Sequence, residues 1–431
     1  MMDVRTAADI ALESSFEAMK DKGATGLRER AWEAFSRKGL PNKRVEQWHY
    51  TDLRAALRVV APLAEAPRSA PALERIGDGL RLVILDGAFR AELSDVVSPP
   101  EGVTIQSLRD ALVQGDAQFM AEIAPQGLTS EDSVVALNAA LMQDGVVVRI
   151  APGAHVERPF QIETLTSGAA AQSVFTRSLV VVGDGAVARI EEISRTVTPS
   201  GAQENNALVL SIGAGAKVEH VIHIEPQADD GVRVASLLVA LERQSEFSSF
   251  CLIEGGGLLR RQIFAEIKGE YASVAFDGVS LLRGRAHADR TLIIDHTAPH
   301  GRSRERFRTI LDGESTGVFQ GKVIVRPRAQ KTDGAMQSKA LLLSEGASMN
   351  NKPELEIFAD DVVCGHGATC GRLDADQLFY MEARGLPRPQ AEALLIEGFA
   401  NEALDAISDE STRDRLRERV RGWLASREVR S

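Results

Sequence analysis

The chain has 431 residues, of which 44% are hydrophobic and 26% charged, an ordinary composition for a soluble globular protein with length enough for a large core or two to three modules. Net charge is −11, which argues against a broad nucleic-acid or anionic-membrane footprint; the exception is the stretch from residue 411 onward, with seven Arg against three acids. Aromatic residues make up only 5%, while Val, Ile, Leu, Ala and Gly are plentiful, so a β-rich core of small branched side chains is expected.

The first 60 residues read as helical. Apolar residues recur at helical spacing in "ADIALESSFEAMKDKG" and "GLRERAWEAFSRKGL", and Gly23 and Gly39 fall where each helix should stop. The aromatic-rich "PNKRVEQWHYTDL" follows and looks like a docking element. "APLAEAPRSAPALE" is an Ala- and Pro-rich linker or irregular loop. Residues 80–86, "LRLVILD", form a short buried strand, followed by a mixed region to about residue 130.

From about residue 145 the texture changes. "DGVVVRIAPGAHVERPFQIETL", "RSLVVVGDGAVARIEEIS" and "NALVLSIGAGAKVEHVIHIE" repeat an apolar strand, a Gly-containing turn and a branched residue. Gly153, Gly185 and Gly215 mark the turns, 32 and 30 residues apart. Period-2 alternation with turns at near-regular spacing indicates a solenoid, and it persists loosely to about residue 372. The expected fold is mainly β: a right-handed parallel β-helix core over 101–372, flanked by an N-terminal helical and mixed region, 1–100, and a C-terminal helical region, 373–431. A pair of β-sandwiches is the competing fold.

The C-terminal region returns to helix. "LDADQLFYMEARG" starts with Asp374 as N-cap and ends at Gly385. The next helix begins after Pro387 and Pro389, with Leu395, Phe399, Leu404 and Ile407 near one stripe. A last helix sets Leu416, Val420, Trp423 and Leu424 on one face. This tail either packs on the end of the β-helix or binds a partner.

The chemistry-bearing residues are few. Cys251, Cys364 and Cys370 form no disulfide framework, which indicates a reducing compartment. The N-terminus lacks the basic and apolar regions of a signal peptide, and no segment reaches 18 uncharged apolar residues, so a cytoplasmic location is expected. In "DDVVCGHGATCG", Cys364 and His366 stand two apart, on one side of a strand. Thiolate and imidazole there suit a soft or borderline metal, with a third ligand from Cys370 or another chain. The competing readings are a glycine-rich turn with Cys364 as a small buried hydrophobe, and a Cys–His nucleophilic pair with no evident orienting third group. His220 and His223 fall on opposite sides of a strand. Pro299 prevents a helix between His296 and His300. The "GDGA" and "GAGA" segments lack the Lys-Ser/Thr of a phosphate loop, and no ATPase motif is read in the chain. The Arg-rich last helix reads as a solvated face rather than an RNA contact. The "ADD" at 359–361 is the one acidic cluster seen that a carbohydrate-active β-helix enzyme could use.

From Gln330 onward, "PELEIFADDVVCGHGAT", "LFYMEARG" and "AEALLIEGF" occur in order, and "EQWHYTDL", "LNAALMQDGVVVRIAPGAHVERPFQI" and "RFRTILDGESTGVFQGKVIVRP" precede them. With these motifs the chain resembles the SufB/SufD family of iron–sulfur cluster assembly scaffolds from about residue 42 to its end, nearer the SufD branch. The resemblance implies a parallel β-helix and a non-catalytic scaffold subunit of a cytosolic SufB–SufC–SufD complex that passes clusters to apo-proteins. SufB-like and SufD-like chains would pair through their β-helices, and the ABC-type ATPase SufC would sit near the C-terminal helices, around Tyr380, Arg384, Gly385, Leu395 and Phe399. It implies no permanently bound cofactor, and a transient cluster shared with the SufB-like chain, with no nucleic acid or membrane as partner. His366 matches the histidine tied to cluster formation at that interface and Cys364 the nearby cysteine. Cys370 stands where the family has an apolar residue. Two other readings stay open: a carbohydrate-active β-helix enzyme, against which the missing signal peptide counts, and the SufB-like sister subunit, for which three cysteines are few.

Overall fold

Strands whose side chains alternate every second residue bury one face best by coiling into a tube that closes over those side chains. That is the arrangement in the computed structural model, which describes residues 6–428 apart from 66, 68–73, 126, 128, 130, 131, 169, 199 and 200. The middle of the Ala/Pro-rich linker, 68–73, thus lies outside the described residues.

From Val146 to Gly371 the described residues form sixteen strands and no helix. They alternate between two sheets, so that strands inside the stack pair in parallel with those two before and two after them, and the result is a β-solenoid of about eight coils. Register links residues close to 30 apart: Ile162 pairs with Glu192 and Glu192 with Ile222. The β-sandwich alternative is set aside by this parallel pairing. At its first end the solenoid is closed by antiparallel strands: Ala88–Phe89 on Leu80–Leu85, and Val103–Ser107 on Val146–Ile150. Leu80–Leu85 itself joins the ten-stranded sheet beside Phe160–Thr166.

The recurrent glycines sit where the backbone turns from one sheet to the other. Gly153, Gly185 and Gly215 have φ near +70°, a conformation that costs glycine little. In later coils the same position is held by Gln244, Tyr271, His300 and Lys331, with φ of 58° to 62°. The sequence repeat fades there because side chains replace glycine while the backbone keeps the turn. Each turn hydrogen-bonds the next: Gly185 N–H to Ala214 O, Gly215 N–H to Arg243 O, His300 N–H to Gln330 O.

Inward residues such as Ile162, Val180, Leu210, Ile263, Ile294 and Phe307 fill the tube. Both outer faces are partly covered by helices. On the nine-stranded sheet, Leu12, Phe16, Phe35, Trp48 and Leu53 pack against Phe175, Val232 and Val234. The "EQWHYTDL" segment docks on this chain's own solenoid. The Arg260 guanidinium lies 3.8 Å over the Trp48 ring and donates to Gln47 O, and Thr51 Oγ1 donates to Asp289.

On the ten-stranded sheet, the helices Arg388–Leu404 and Glu410–Glu428 set Ile396, Ala400, Leu404, Leu416 and Val420 against Phe250, Leu252, Val279 and Leu281. The tail therefore covers the flank of the solenoid and not its end. Its arginines are not simply solvated: Arg415 pairs with Glu191, Arg419 with Glu254 and Arg427 with Asp312. No helix among the described residues is long and apolar enough to cross a membrane.

Candidate functional site

The two sheets end on Ser348–Ile357 and Val363–Gly371, and each of these strands has a neighbour on one side only. Unpaired N–H and C=O groups therefore line this end, the standard invitation to another strand. Register places Cys364 over Gly334, His366 over Met336 and Cys370 over Ala340. Met336 and Ala340 point into the core, so Cys364, His366 and Cys370 share the inward face of the last coil. Among the described residues no further coil covers them. Cys364 is half-buried, and His366 and Cys370 are exposed.

Directly beneath lies a polar patch that no sequence spacing signalled. Column by column, Ser303 and Gly334 stack under Cys364, and Glu305 and Met336 under His366. A Cβ on Gly334 would stand 3.3 Å from Ser303 Oγ and 3.5 Å from Cys364 Sγ. Hydroxyl and thiol thus face each other across a glycine gap. Glu305 is fully buried, and neither carboxyl oxygen has a hydrogen-bond partner among the described residues. Burial pushes its carboxyl up to about 8. Burial, with the nearby charge of Asp333, also raises the Cys364 thiol.

The other face of the same strand carries Gly365, Gly367 and Gly371. None has positive φ, and among the described residues nothing lies within 4 Å of where a Cβ would point. Neither backbone conformation nor packing among the described residues requires glycine there.

The remaining sequence candidates are dispersed. His220 points inward, bonded to Ser249 and Glu192, while His223 points outward to Glu254, which also accepts from Arg419. His296 is buried inside the tube, both ring nitrogens unbonded among the described residues, and burial lowers it to about 4. His300 stacks on Tyr271 in the outer turns, ring centroids 4.5 Å apart. Of the acids at 360–361, Asp361 pairs with Lys331. Among the described residues no group of three or more His, Cys, Asp or Glu side chains is placed to hold a metal ion.

Of the proposed partner contacts, Tyr380 is 59% exposed on the helix Ala375–Ala383, with the Arg384 guanidinium 5.0 Å over its ring. Asp374 caps that helix through the N–H groups of Asp376 and Gln377, and Gly385 follows it at φ +88°. Leu395 and Phe399 are half-buried; Phe399 packs on the outer cluster beneath Arg308. Phe379 and Leu394, not singled out in the sequence, add exposed apolar surface nearby.

Residues 164–399 match the family described as "SUF system FeS cluster assembly, SufBD core domain", and residues 78–162 match the "SufBD protein N-terminal region". An iron–sulfur cluster assembly SufBD family protein of Synechocystis sp. is 33% identical, covering 88% of this chain and 87% of its own. The iron–sulfur cluster assembly protein SufD of Escherichia coli is 28% identical, covering 89% of each chain. The chloroplastic protein ABCI7 of Arabidopsis thaliana is 27% identical over 95% of this chain and 86% of its own.

Proposed function

The chain belongs to the SufBD family of iron–sulfur cluster assembly proteins, SufD-like within it, and from that premise we propose that it is a non-catalytic scaffold subunit that builds clusters jointly with a second chain. The open end of the solenoid carries this reading. It joins an unpaired strand edge to a row of His366, Cys364 and Cys370 that is too sparse to close a cluster site alone. A SufB-like partner that adds its own strand to the edge brings further ligands to the same face, by the strand addition that edges commonly support. The cluster is then cargo shared across the interface, with His366 a ligand and Cys364 a second. No permanently bound cofactor is needed.

The ATP-dependent step belongs to a SufC-type ATPase seated on the C-terminal helices, around Tyr380, Arg384, Gly385, Leu395 and Phe399. Its motion would shift the paired strands and open or close the ligand set. The complex works in the cytoplasm and transfers clusters to apo-proteins.

The test is an anaerobic affinity pull-down of the tagged chain from its native cell extract, with iron and sulfide assayed in the eluate. Recovery of a second solenoid chain and an ABC-type ATPase, with cluster built on reconstitution, is expected. His366→Ala is expected to leave the assembly intact and abolish cluster build-up. Unchanged cluster yield would remove His366 from the site, and recovery of the chain alone would overturn the scaffold reading.

A further inference from the structure

The residues just before "EQWHYTDL" and the short helix Leu53–Ala56 at its end border one groove of about 620 Å3. That volume falls inside the span of about 300 to 1,000 Å3 typical of small-molecule sites. Lys43 and Arg44 line it from the first segment, Arg54 and Arg58 from the second. Lys43, Arg44 and Arg58 are exposed and Arg54 is half-buried, so a ligand in the groove reaches their charged ends.

None of the four side chains has a hydrogen bond or an ion pair among the described residues. Asp52 is the one acid in the lining, and its carboxylate already accepts from the Ala55 N–H at 2.8 Å. The groove therefore sets four positive charges against one negative, in a chain whose net charge is −11. The last helix shows the contrasting arrangement, where Arg415, Arg419 and Arg427 each meet an acid.

The fold holds these like charges together. The Arg54 N–H donates to Pro41 O at 3.0 Å and the Arg44 N–H to Asn42 Oδ1 at 2.9 Å, so the two segments are tied to each other. Trp48 and Leu53, between them in the chain, are buried in the cluster that joins the N-terminal helices to the solenoid. Repulsion among the four cations is a cost that a bound anion removes. Because the backbone that carries them is already fixed, little ordering is left for a ligand to impose. Guanidinium groups offer forked N–H donors that match phosphate and carboxylate oxygens. Ala8 and Ala55 are the only apolar residues in the lining and give little area to a ring or an acyl chain, so the groove selects by charge.

We propose that this groove binds a compact oligoanion, a small ligand carrying three or more closely spaced phosphate or carboxylate charges. Inorganic triphosphate and citrate are the probes, titrated into the full chain by calorimetry at low ionic strength and without divalent cations. Saturable binding is expected, weakening as salt is raised. Tighter triphosphate assigns the ligand to phosphates, and tighter citrate assigns it to carboxylates. Arg44→Gln combined with Arg58→Gln removes two exposed charges and is expected to weaken the tighter probe by about tenfold. The same double variant is expected to unfold in urea at an equal or higher midpoint, since it relieves repulsion within the groove. Absence of saturable binding by both probes would overturn the proposal. So would unchanged affinity in the double variant, which would place the anion at other arginines of the chain, or a lowered urea midpoint, which would assign Arg44 and Arg58 to the fold.

Discussion

Glu305 offers the most quantitative test of the interior. It is wholly inside the tube, and the charge of Arg304 opposes the effect of burial without cancelling it. Its carboxyl stands at about 8 in the fold against an ordinary 4.5. The folded chain keeps a proton there that the unfolded chain releases above pH 4.5. The folded value is raised, so this contribution to stability is fully present below pH 4.5 and is lost as pH climbs to 8. A gap of about 3.5 pH units corresponds to about 5 kcal/mol across the whole range. His296 works in the opposite sense. Its ring stands at about 4 in the fold against 6.5, so the unfolded chain takes up a proton that the folded chain refuses. Stability is lost as pH falls from 6.5 to 4, by about 3 kcal/mol. The two slopes cancel between about pH 4.5 and 6.5, and Glu305 tilts the curve from 6.5 to 8 by about 2 kcal/mol. Glu305→Gln keeps the shape of the side chain and removes the titration. Urea unfolding at pH 6.5 and pH 8 is expected to show the wild type losing about 2 kcal/mol more than the variant over that interval. A pH dependence equal in the two chains to within about 0.5 kcal/mol would mean that Glu305 is ionised and paired in the fold, and the reasoning would fail.

Three further outcomes are expected. Gly367→Val points a branched side chain into open space on the outer face of the last strand, so the chain alone should keep or gain up to about 1 kcal/mol in denaturant unfolding. The same variant should lose pairing with a SufB-like chain in a pull-down, and pairing at wild-type yield would show that this face stays free in the complex. Gln244→Gly relieves a left-handed residue at an exposed turn and should raise the unfolding midpoint, by about 1 kcal/mol at most. Trp423→Ala empties the seam between the last helix and the ten-stranded sheet, where Arg283 lies 4.4 Å over the ring. A loss of about 3 to 5 kcal/mol is expected by calorimetry, and a change under about 1 kcal/mol would mean that the tail contributes little to the fold.

The candidate site was legible only along the strand that carries it. Cys364 and His366 stand two apart, so the sequence places them on one face, and the family motif around them points to that strand. Ser303 and Glu305 were not legible. They come into the columns of Cys364 and His366 only through register, two coils and about 60 residues upstream, and no local spacing encodes that placement. The glycines of the last strand read as a turn in the sequence. They are in fact extended residues with empty space beside them, a property that only the neighbouring strands can define. The arginines of the last helix read as solvated for the same reason, since their partners Glu191 and Glu254 are brought beneath them by the coiling of the chain.

By itself the sequence determined the coil, the first of its turns and the helices at either end. Those features depend on side-chain alternation, on glycine's tolerance of positive φ and on helix caps, all of which act within a few residues. Only the tertiary structure decided which columns of side chains meet, which end of the tube stays open and which flank each helix covers. These depend on turn lengths that vary from coil to coil and on the sum of many weak contacts. A change of one residue in a turn moves a whole column, and the local pattern of the strand does not change with it.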